Sequence, residues 1–561
     1  MEKSKNWEEL SYEYGLDNAI RHEGKANEGA VLGRLFKEGL TKEMIKDVMP
    51  IIKNVIKKVN GMKKEEQEKE YDKYRNKFEK FREAKIEAFE NRELPELPNV
   101  EGKLVFRMAP YPYGALHIGN TKTYLLNALY AEKYKGKIIL VMDDTIGSKE
   151  KKIAKEAYKL IPEAFNWLGV KYAKPIYYKS NRLKVYYKYG EELIKLEKAY
   201  VCSCPQEVLG KNREQGVECS CRQLPEKEQK IRWKKMFKAK QGDFVVRLKT
   251  NMQDSNPAFR DRVLFKISDA EHPRVGKKYR VWPTLEMSWA VDDHLLGITH
   301  IIRGKDLMIE TDMEKFIWNI FGWKHPETIH AGLVRIEGLG AKLSKSKAQK
   351  EVASGEFSGW DDPRTWSVQS LKRRGFLPES IREFVKDIGL NENDIIVPVE
   401  KLYSTNRKLI DKTSKRYFFI QDPVELEVEK KPVRLVVNVK VHPDKEETRE
   451  IKVGNDIFIS REDYETNRDK EIRLMHLFNV KLGKKPEFTS EENKDIQRVQ
   501  WVSDFVKIKI LMPDGIWIEG IGEEAIKKLK KESVIQFERF GFARFDRINE
   551  AGEYEFWFAH Q

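Results

Sequence analysis

Two short strings in this 561-residue chain combine residue types that suit phosphate chemistry. In the first, His117-Ile118-Gly119-Asn120, the pattern of a strand hands over to that of a helix. A helix start exposes unpaired backbone N–H groups and the positive end of its dipole, and both attract phosphate. Gly119 lets a nucleotide approach the backbone, while His117 and Asn120 add side-chain donors. A capped surface helix would carry the same four residues. The second string, Lys342-Leu343-Ser344-Lys345-Ser346-Lys347, follows a Gly-rich GLGA. Lysines and hydroxyls on a loop can hold a pyrophosphate leaving group and stabilise the charge it develops. A basic surface loop is the plain alternative. His117 and Lys342 stand 225 residues apart.

A third constellation is made of sulfur. All four cysteines fall in one window, as Cys202-Ser203-Cys204 and Cys219-Ser220-Cys221. Two C-x-C pairs can supply four thiolates to a tetrahedral metal, for which zinc is the usual occupant. Four free buried cysteines would leave their confinement to one window unexplained. A reducing compartment disfavours disulfides.

Elements of recognisable kind must hold these groups. KLVFRMA from Lys103 reads as a strand, PYPYGALHIGN as a sharp turn, TKTYLLNALYAEKY as a helix, and KIILVM, ending on Asp143-Asp144, as a second strand. Strand, turn, helix, strand is a parallel βαβ unit. KEKKIAKEAYKLIPEAFNWLGV continues the alternation, and a second α/β stretch runs from about Tyr279 to Phe376. Residues 1 to about 95 show helical spacing, with a nearly solid charged segment from Lys63 to Lys85 that reads as a solvated helix or a hinge. After residue 415 strand patterns dominate (RLVVNVKVH, REIKVGNDIFIS, FVKIKILM, EYEFWFA), which predicts β-barrels. The expected fold is therefore multidomain: a Rossmann-type α/β catalytic domain with N-terminal helices and an all-β C-terminal region. The boundaries are a helical domain at 1–98, the two catalytic halves at 99–200 and 279–350, an insertion at 201–278, a helical connector at 351–415 and the β region at 416–561.

A net charge of +15 with 35% charged residues points to a polyanionic partner. The stretch MEKSKNWEEL has no apolar signal region, and no uncharged apolar run of 18 residues occurs. A soluble, cytoplasmic protein with no membrane partner is expected.

Taken together and in this order, the two phosphate strings resemble the paired HIGH and KMSKS signatures of class I aminoacyl-tRNA synthetases. RMAPYPYGALHIGN, MDDT, YVCSC, RLKTNMQDSNPAFRD, VDDHLLGITHIIRGKD and SGWDDPRT each resemble blocks of the glutamyl/glutaminyl family. DNAIRHEGKANEGAVLGRL is similar to the archaeal and eukaryotic glutamyl branch, as is the strand-rich tail from RYFFIQDPVELEV, which resembles an anticodon-binding β-barrel. The resemblance spans nearly the whole chain. It implies ATP-dependent attachment of L-glutamate to tRNA(Glu) through glutamyl-adenylate, with Mg²⁺ accompanying ATP. A glutaminyl enzyme, or a paralogue that keeps RNA binding but has lost or changed its amino acid, is the alternative. A monomer is expected.

The resemblance also assigns residues. Pro110, His117, Gly119, Asn120, Ser344 and Lys345 would hold ATP, with His117, Asn120, Lys342 and Lys345 acting in catalysis. Arg107 would meet a carboxylate of the amino acid and Asp143 its α-amino group, with Ala109, Tyr111, Leu285 and Arg303 completing that site. Cys202, Cys204, Cys219 and Cys221 would hold structural Zn²⁺ in the acceptor-stem-binding insertion. Several positions depart from the family pattern. Asn120 replaces the final histidine of the signature, Val141 an arginine and Ile146 an acid. Tyr111 stands for a small or polar residue, and Leu285 for the tyrosine whose hydroxyl reads the side chain.

Overall fold

The computed structural model describes residues 6–21, 24–41, 43–87, 93–146, 152–339, 345–432 and 436–561, without the side chains at 37, 82–87 and 345–347. The described residues divide into two compact units.

The first unit is built on the helices α1 (Trp7–Arg21), α2 (Glu28–Lys37), α3 (Ile45–Asn60), α4 (Lys64–Tyr71) and α5 (Arg75–Glu87). Leu16, Ala19, Val31, Leu35, Ile52, Ile56 and Val59 meet at helical spacing to form its core. The charged segment from Lys63 is more than a solvated surface. Three of its non-ionic residues reach inward: Tyr71 and Phe78 join the core, and buried Gln67 donates from Nε2 to Val59 O at 2.8 Å. Tyr71 also donates to Asp17 Oδ1 at 3.0 Å.

The second unit opens on β1 (Val105–Met108), α6 (Ile118–Lys133), β2 (Lys137–Met142), α7 (Ala157–Trp167), β3 (Ala173–Tyr178) and α8 (Leu183–Lys195). An insertion follows, made of β4 (Ala199–Cys202), α9 (Gln206–Gln215), α10 (Glu226–Met236), β5 (Val245–Leu248), β6 (Val263–Ile267) and β7 (Val281–Pro283). The α/β alternation resumes with α11 (Leu285–Leu295), β8 (His300–Gly304), α12 (Met308–Phe321) and β9 (Glu327–Ala331). Strands β3-β2-β1-β8-β9 form one sheet with every neighbouring pair parallel. This is the doubly wound order, in which the chain reverses direction across the sheet between β1 and β8. Ligands bind in the crevice outside the carboxyl ends of the strands at such a reversal. The insertion makes its own antiparallel sheet in the order β4-β5-β6-β7. Its Val201, Trp233, Val246 and Phe265 share a core with Tyr186 of α8, Met287 of α11 and Trp318 of α12, which anchors it to the α/β body.

Helices Val368–Arg374, Pro378–Ile388 and Val399–Ile410 precede a strand-rich tail. Its seven-stranded sheet begins with Lys415–Tyr417 at one edge and ends with Phe419–Gln421 at the other. Only Phe418 separates those edges in sequence, so the sheet curls almost into a closed barrel. A four-stranded sheet and two antiparallel strand pairs surround a second core containing Ile459, Phe478 and Trp501. The observed architecture is thus the expected α/β domain with N-terminal helices and a C-terminal all-β region.

Candidate active site

The chain leaves β1 through a turn that glycine alone permits: a Cβ on Gly114 would lie 2.2 Å from the ring of Trp360. The turn delivers His117 to the N-cap of α6, where its Nδ1 accepts from Gly119 N at 3.0 Å. Asn120 Oδ1 accepts from His117 N at 3.1 Å, closing a reciprocal capping box. Because Nδ1 accepts, the neutral ring carries its proton on Nε2, the nitrogen able to donate to a phosphate. Asn120 Nδ2 is buried and makes no hydrogen bond. The signature is braced from behind: Ile118 N donates to Trp366 O at 3.1 Å and Val368 N to Leu116 O at 2.8 Å. The SGWDDPRT block therefore supplies the ring that demands Gly114, and the residues just after it, Trp366 and Val368, supply the backbone that pins the start of α6.

At the reversal point lies a cavity of about 240 Å³. Arg107 and Ala109 from the end of β1, Gly119 and Asn120 from α6, and Arg303 from β8 line it. The position follows from the strand order: β1 and β8 are neighbours, and both arginines sit at or near the carboxyl ends of their strands. His117, Pro110, Tyr111, Asp143 and Leu285 are not on the lining. Asp143 follows the end of β2, and its N–H donates to Pro110 O at 3.0 Å. Tyr111 packs 5.9 Å from Tyr113, and burial, reinforced by Asp143 and Asp144, holds its hydroxyl protonated. Leu285 opens α11 one turn before Trp289, which does line the cavity. Lys342 and Ser344 lie outside the described residues; Lys345 begins the helix Lys345–Ser354, and its side chain lies outside the description.

Two of the departures have packing reasons. Val141 is fully buried in the sheet core with Ile139, Ile298 and Ile301, and Ile146 packs against the core shared with the insertion. Asp144, beside Asp143, is a brace. It accepts from Ser180 N at 2.8 Å, Ser180 Oγ at 2.6 Å and Tyr158 OH at 3.0 Å, and its carbonyl meets His272 Nε2 at 2.8 Å.

Around the cavity the charges are already matched. Arg107 Nε lies 2.9 Å from Asp293 Oδ1, Lys179 Nζ lies 3.0 Å from Asp143 Oδ1, and Arg303 grips Glu314 at 2.9 and 2.7 Å. The Trp289 ring lies among all three cations, 4.6 Å from Arg107, 4.8 Å from Lys179 and 5.2 Å from Arg303. Burial pulls the Lys179 amine down, opposed by Asp143, and raises the Asp293 carboxyl to about 7 against the pull of Arg107. Lys179, Glu314, Asp293, Trp289, Tyr124 and Lys122 were not singled out from the sequence. Asp293 lay inside the VDDHLLGITHIIRGKD block that carried the resemblance, but nothing in its spacing told it from Asp292. Only the fold brings the other five, from β3's end, α6, α11 and α12, to one place.

The four cysteines converge as their spacing foretold. Their sulfurs all lie within 4.8 Å of one another, with Cys202–Cys219 at 3.7 Å and Cys204–Cys221 at 3.9 Å. Zinc–thiolate bonds of about 2.3 Å at tetrahedral angles put sulfurs about 3.8 Å apart, so the donor set fits that ion. The surroundings favour thiolates as well. Arg232 donates to Cys221 Sγ at 3.4 Å, Arg247 to Cys219 Sγ at 3.8 Å, and Ser203 Oγ lies 3.6 Å from Cys221 Sγ. The hydrogen bond with Cys202, aided by Tyr200 and Arg247, brings the Cys219 thiol down to about 5 despite its burial. Positive neighbours offset the net negative charge that four thiolates leave on a divalent ion.

Known proteins match this arrangement along the chain. The family described as tRNA synthetases class I (E and Q), catalytic domain, matches residues 103–412. Its two anticodon-binding domain families match residues 414–500 and 476–546. A glutamate–tRNA ligase of Pyrococcus furiosus is 39% identical, with 96% of this chain and 97% of that protein covered. One from Methanothermobacter marburgensis is 37% identical over 99% of this chain and 100% of its own length. One from Thermococcus onnurineus is 40% identical over 97% and 98%. With its catalytic-domain match and relatives of this closeness over nearly its full length, the chain belongs to the class I glutamyl/glutaminyl tRNA synthetase family.

Proposed function

We propose that this protein attaches L-glutamate to tRNA(Glu) in two steps at the β1–β8 crevice, using ATP. The observation that carries the reading is near-full-length likeness to archaeal glutamate–tRNA ligases. The cavity between Arg107 and Arg303 supports it.

In the first step a carboxylate oxygen of glutamate attacks the α-phosphorus of ATP. The bond to the bridging oxygen breaks, and pyrophosphate leaves with that electron pair. In the second, a ribose hydroxyl at the tRNA 3′ end loses its proton and attacks the activated carbonyl carbon, expelling AMP. No covalent enzyme intermediate is needed, so the protein's work is positioning and charge stabilisation. His117 at Nε2, Asn120 at its unpaired Nδ2 and the backbone around Gly119, with Pro110 beside them, would receive ATP at the start of α6. Lys342, Ser344 and Lys345 would hold its phosphates, with Mg²⁺ as their counter-ion. Arg107 and Arg303 would meet carboxylate, Asp143 the α-ammonium, and Ala109, Tyr111 and Leu285 the remaining walls.

The four cysteines would hold one structural Zn²⁺ that fixes the insertion against the body. The strand-rich tail would read the anticodon; a cavity of about 980 Å³ there is rimmed by Lys415, Lys452 and Lys527, which pair with Glu447 or Glu524, and by Lys528 and Lys530. Phosphate contacts of that kind make tRNA affinity fall steeply with salt. No helix among the described residues is long and apolar enough to cross a membrane, and the reading is of a monomeric, cytoplasmic enzyme. ATP-dependent charging of total tRNA with labelled glutamate or glutamine, run side by side, tests it. Glutamate charging is expected. Charging with glutamine alone, or with neither, overturns it.

A further inference from the structure

The three side chains read above as meeting the charges of the amino acid do not stand open. Asp143, assigned to an ammonium, already has one in Lys179 Nζ at 3.0 Å. Arg303, assigned to a carboxylate, already grips Glu314 with both arms of its fork. Arg107 already has Asp293 at 2.9 Å. No side chain of these six is more than 6% exposed.

The pairs differ in how they are held. Arg107 Nε and Nη1 and both oxygens of Asp293 are buried without a hydrogen bond, so charge alone joins them. Lys179 is fixed by a second bond, to Ser288 Oγ at 2.8 Å. Arg303 adds Thr311 Oγ1 to its two bonds with Glu314, and Thr311 in turn meets His330 Nε2 at 2.8 Å. Arg107 therefore keeps an unsatisfied donor beside the cavity, whereas Arg303 and Asp143 are engaged by charge-assisted hydrogen bonds, the strong kind.

A buried charge left without a partner is costly, so a site for a zwitterion must be compensated while empty. Here the compensation has the chemistry of the ligand itself: an amine on the acid and a carboxylate on the guanidinium. Resting on the glutamate reading, we propose that Lys179 and Glu314 are positioning residues that stand in for the charges of the amino acid and set its affinity. Glutamate binds by exchange, taking Asp143 from Lys179 and Arg303 from Glu314. Its net binding is the gain at Asp143 and Arg303 less the cost of parting them from buried Glu314 and from Lys179, which keeps its bond to Ser288 Oγ. Removing a stand-in without moving the residue it covers turns that difference in favour of glutamate.

The test uses the full-length protein with tRNA and ATP, comparing wild type with Glu314→Gln and Lys179→Met. Glu314→Gln keeps the side-chain length and Lys179→Met shortens it by one atom; both lose the charge. The expected result is a KM for glutamate at least tenfold lower in each, with KM for ATP within twofold. Glutamate alone should also raise the Tm of each variant by more than it raises that of the wild type, because ligand binding stabilises in proportion to occupancy and affinity. A purely structural role for the pairs moves Tm but not KM in this direction. Glutamate KM unchanged or higher in both variants overturns the proposal. So does a variant that stays unfolded at saturating glutamate, since the substrate then cannot replace the internal charge. Failure of the wild type to charge glutamate overturns the glutamate reading instead, and is read from the wild-type reaction alone.

Discussion

The ring of Trp360 lies against the backbone of Gly114 so closely that a single methyl there would sit 2.2 Å from the ring carbon Cη2. Trp360 is held in place by its own bond, Nε1 to Glu156 Oε1 at 3.2 Å. Gly114→Ala should therefore push the turn that carries His117 and Asn120 out of register. Overpacking of this kind costs about 1–3 kcal/mol. Activity should fall further than stability does, because the turn positions the end of α6 proposed to receive ATP. Trp360→Ala in the same chain should restore part of the activity. Thermal unfolding and charging rates of the single and double variants check it; an unimpaired Gly114→Ala would refute the steric argument.

Lys122 gives a pH signature. It lines the cavity, donates to Gly332 O at 3.2 Å, and burial, against the pull of Asp394, brings its amine down to about 8. The unfolded value is about 10.4. Between those two values the unfolded chain binds the more protons, so this group makes stability rise with pH from about 8 to about 10.4. Below pH 8 its cost is fully present. Lys122→Met should flatten that part of the stability profile, as measured by denaturant midpoints across pH 7.5 to 10.5 (a range chosen to bracket the shift).

Zinc content is the next expectation. Purified, reduced protein should contain one zinc per chain, and Cys219→Ser should lower both the metal content and the Tm. Thiolate ligation competes with protons, so acid or a chelator should loosen the insertion before the β-rich tail. Hydrogen exchange resolved along the chain would show the order. Elemental analysis without zinc ends the claim.

Lys345→Ala should slow glutamyl-adenylate formation by about a hundredfold with a smaller change in glutamate affinity, since the charge it meets grows mainly in the transition state. Pyrophosphate exchange in the presence of tRNA measures this directly. Wild-type exchange would leave the lysine without the proposed role.

Arg107→Lys should lose most glutamate activation. A guanidinium grips a carboxylate through a rigid fork and stacks on an indole, as Arg107 does on Trp289 at 4.6 Å, and an ammonium copies neither. Circular dichroism and Tm would need to stay near wild type for the loss to be assigned to the site. Normal activation by a folded Arg107→Lys would move the amino-acid site elsewhere.

Local order was legible in the residues themselves. His117 and Asn120 form the start of a helix because a cap is made by neighbours three residues apart, and KIILVM forms a buried strand because a run of apolar residues has nowhere else to go. The cysteines could be grouped as one four-thiolate set before any coordinates, since all four fall in one window of the chain. The tail was legible as strands and as a barrel, but not in its strand order, because pairing Lys415–Tyr417 with Val534–Phe537 spans more than a hundred residues. Nor could any spacing rule disclose that Lys179 faces Asp143, or that Glu314 occupies Arg303. In sequence, Lys179 is one lysine in a chain with 105 basic residues, and Glu314 is one acid on an amphipathic helix. Helical and strand periodicity report which face is buried, not which buried charge it will meet. That partnership depends on the order β3-β2-β1-β8-β9, which brings the ends of strands far apart in the chain around Trp289 and makes burial, rather than composition, decide which ions must pair.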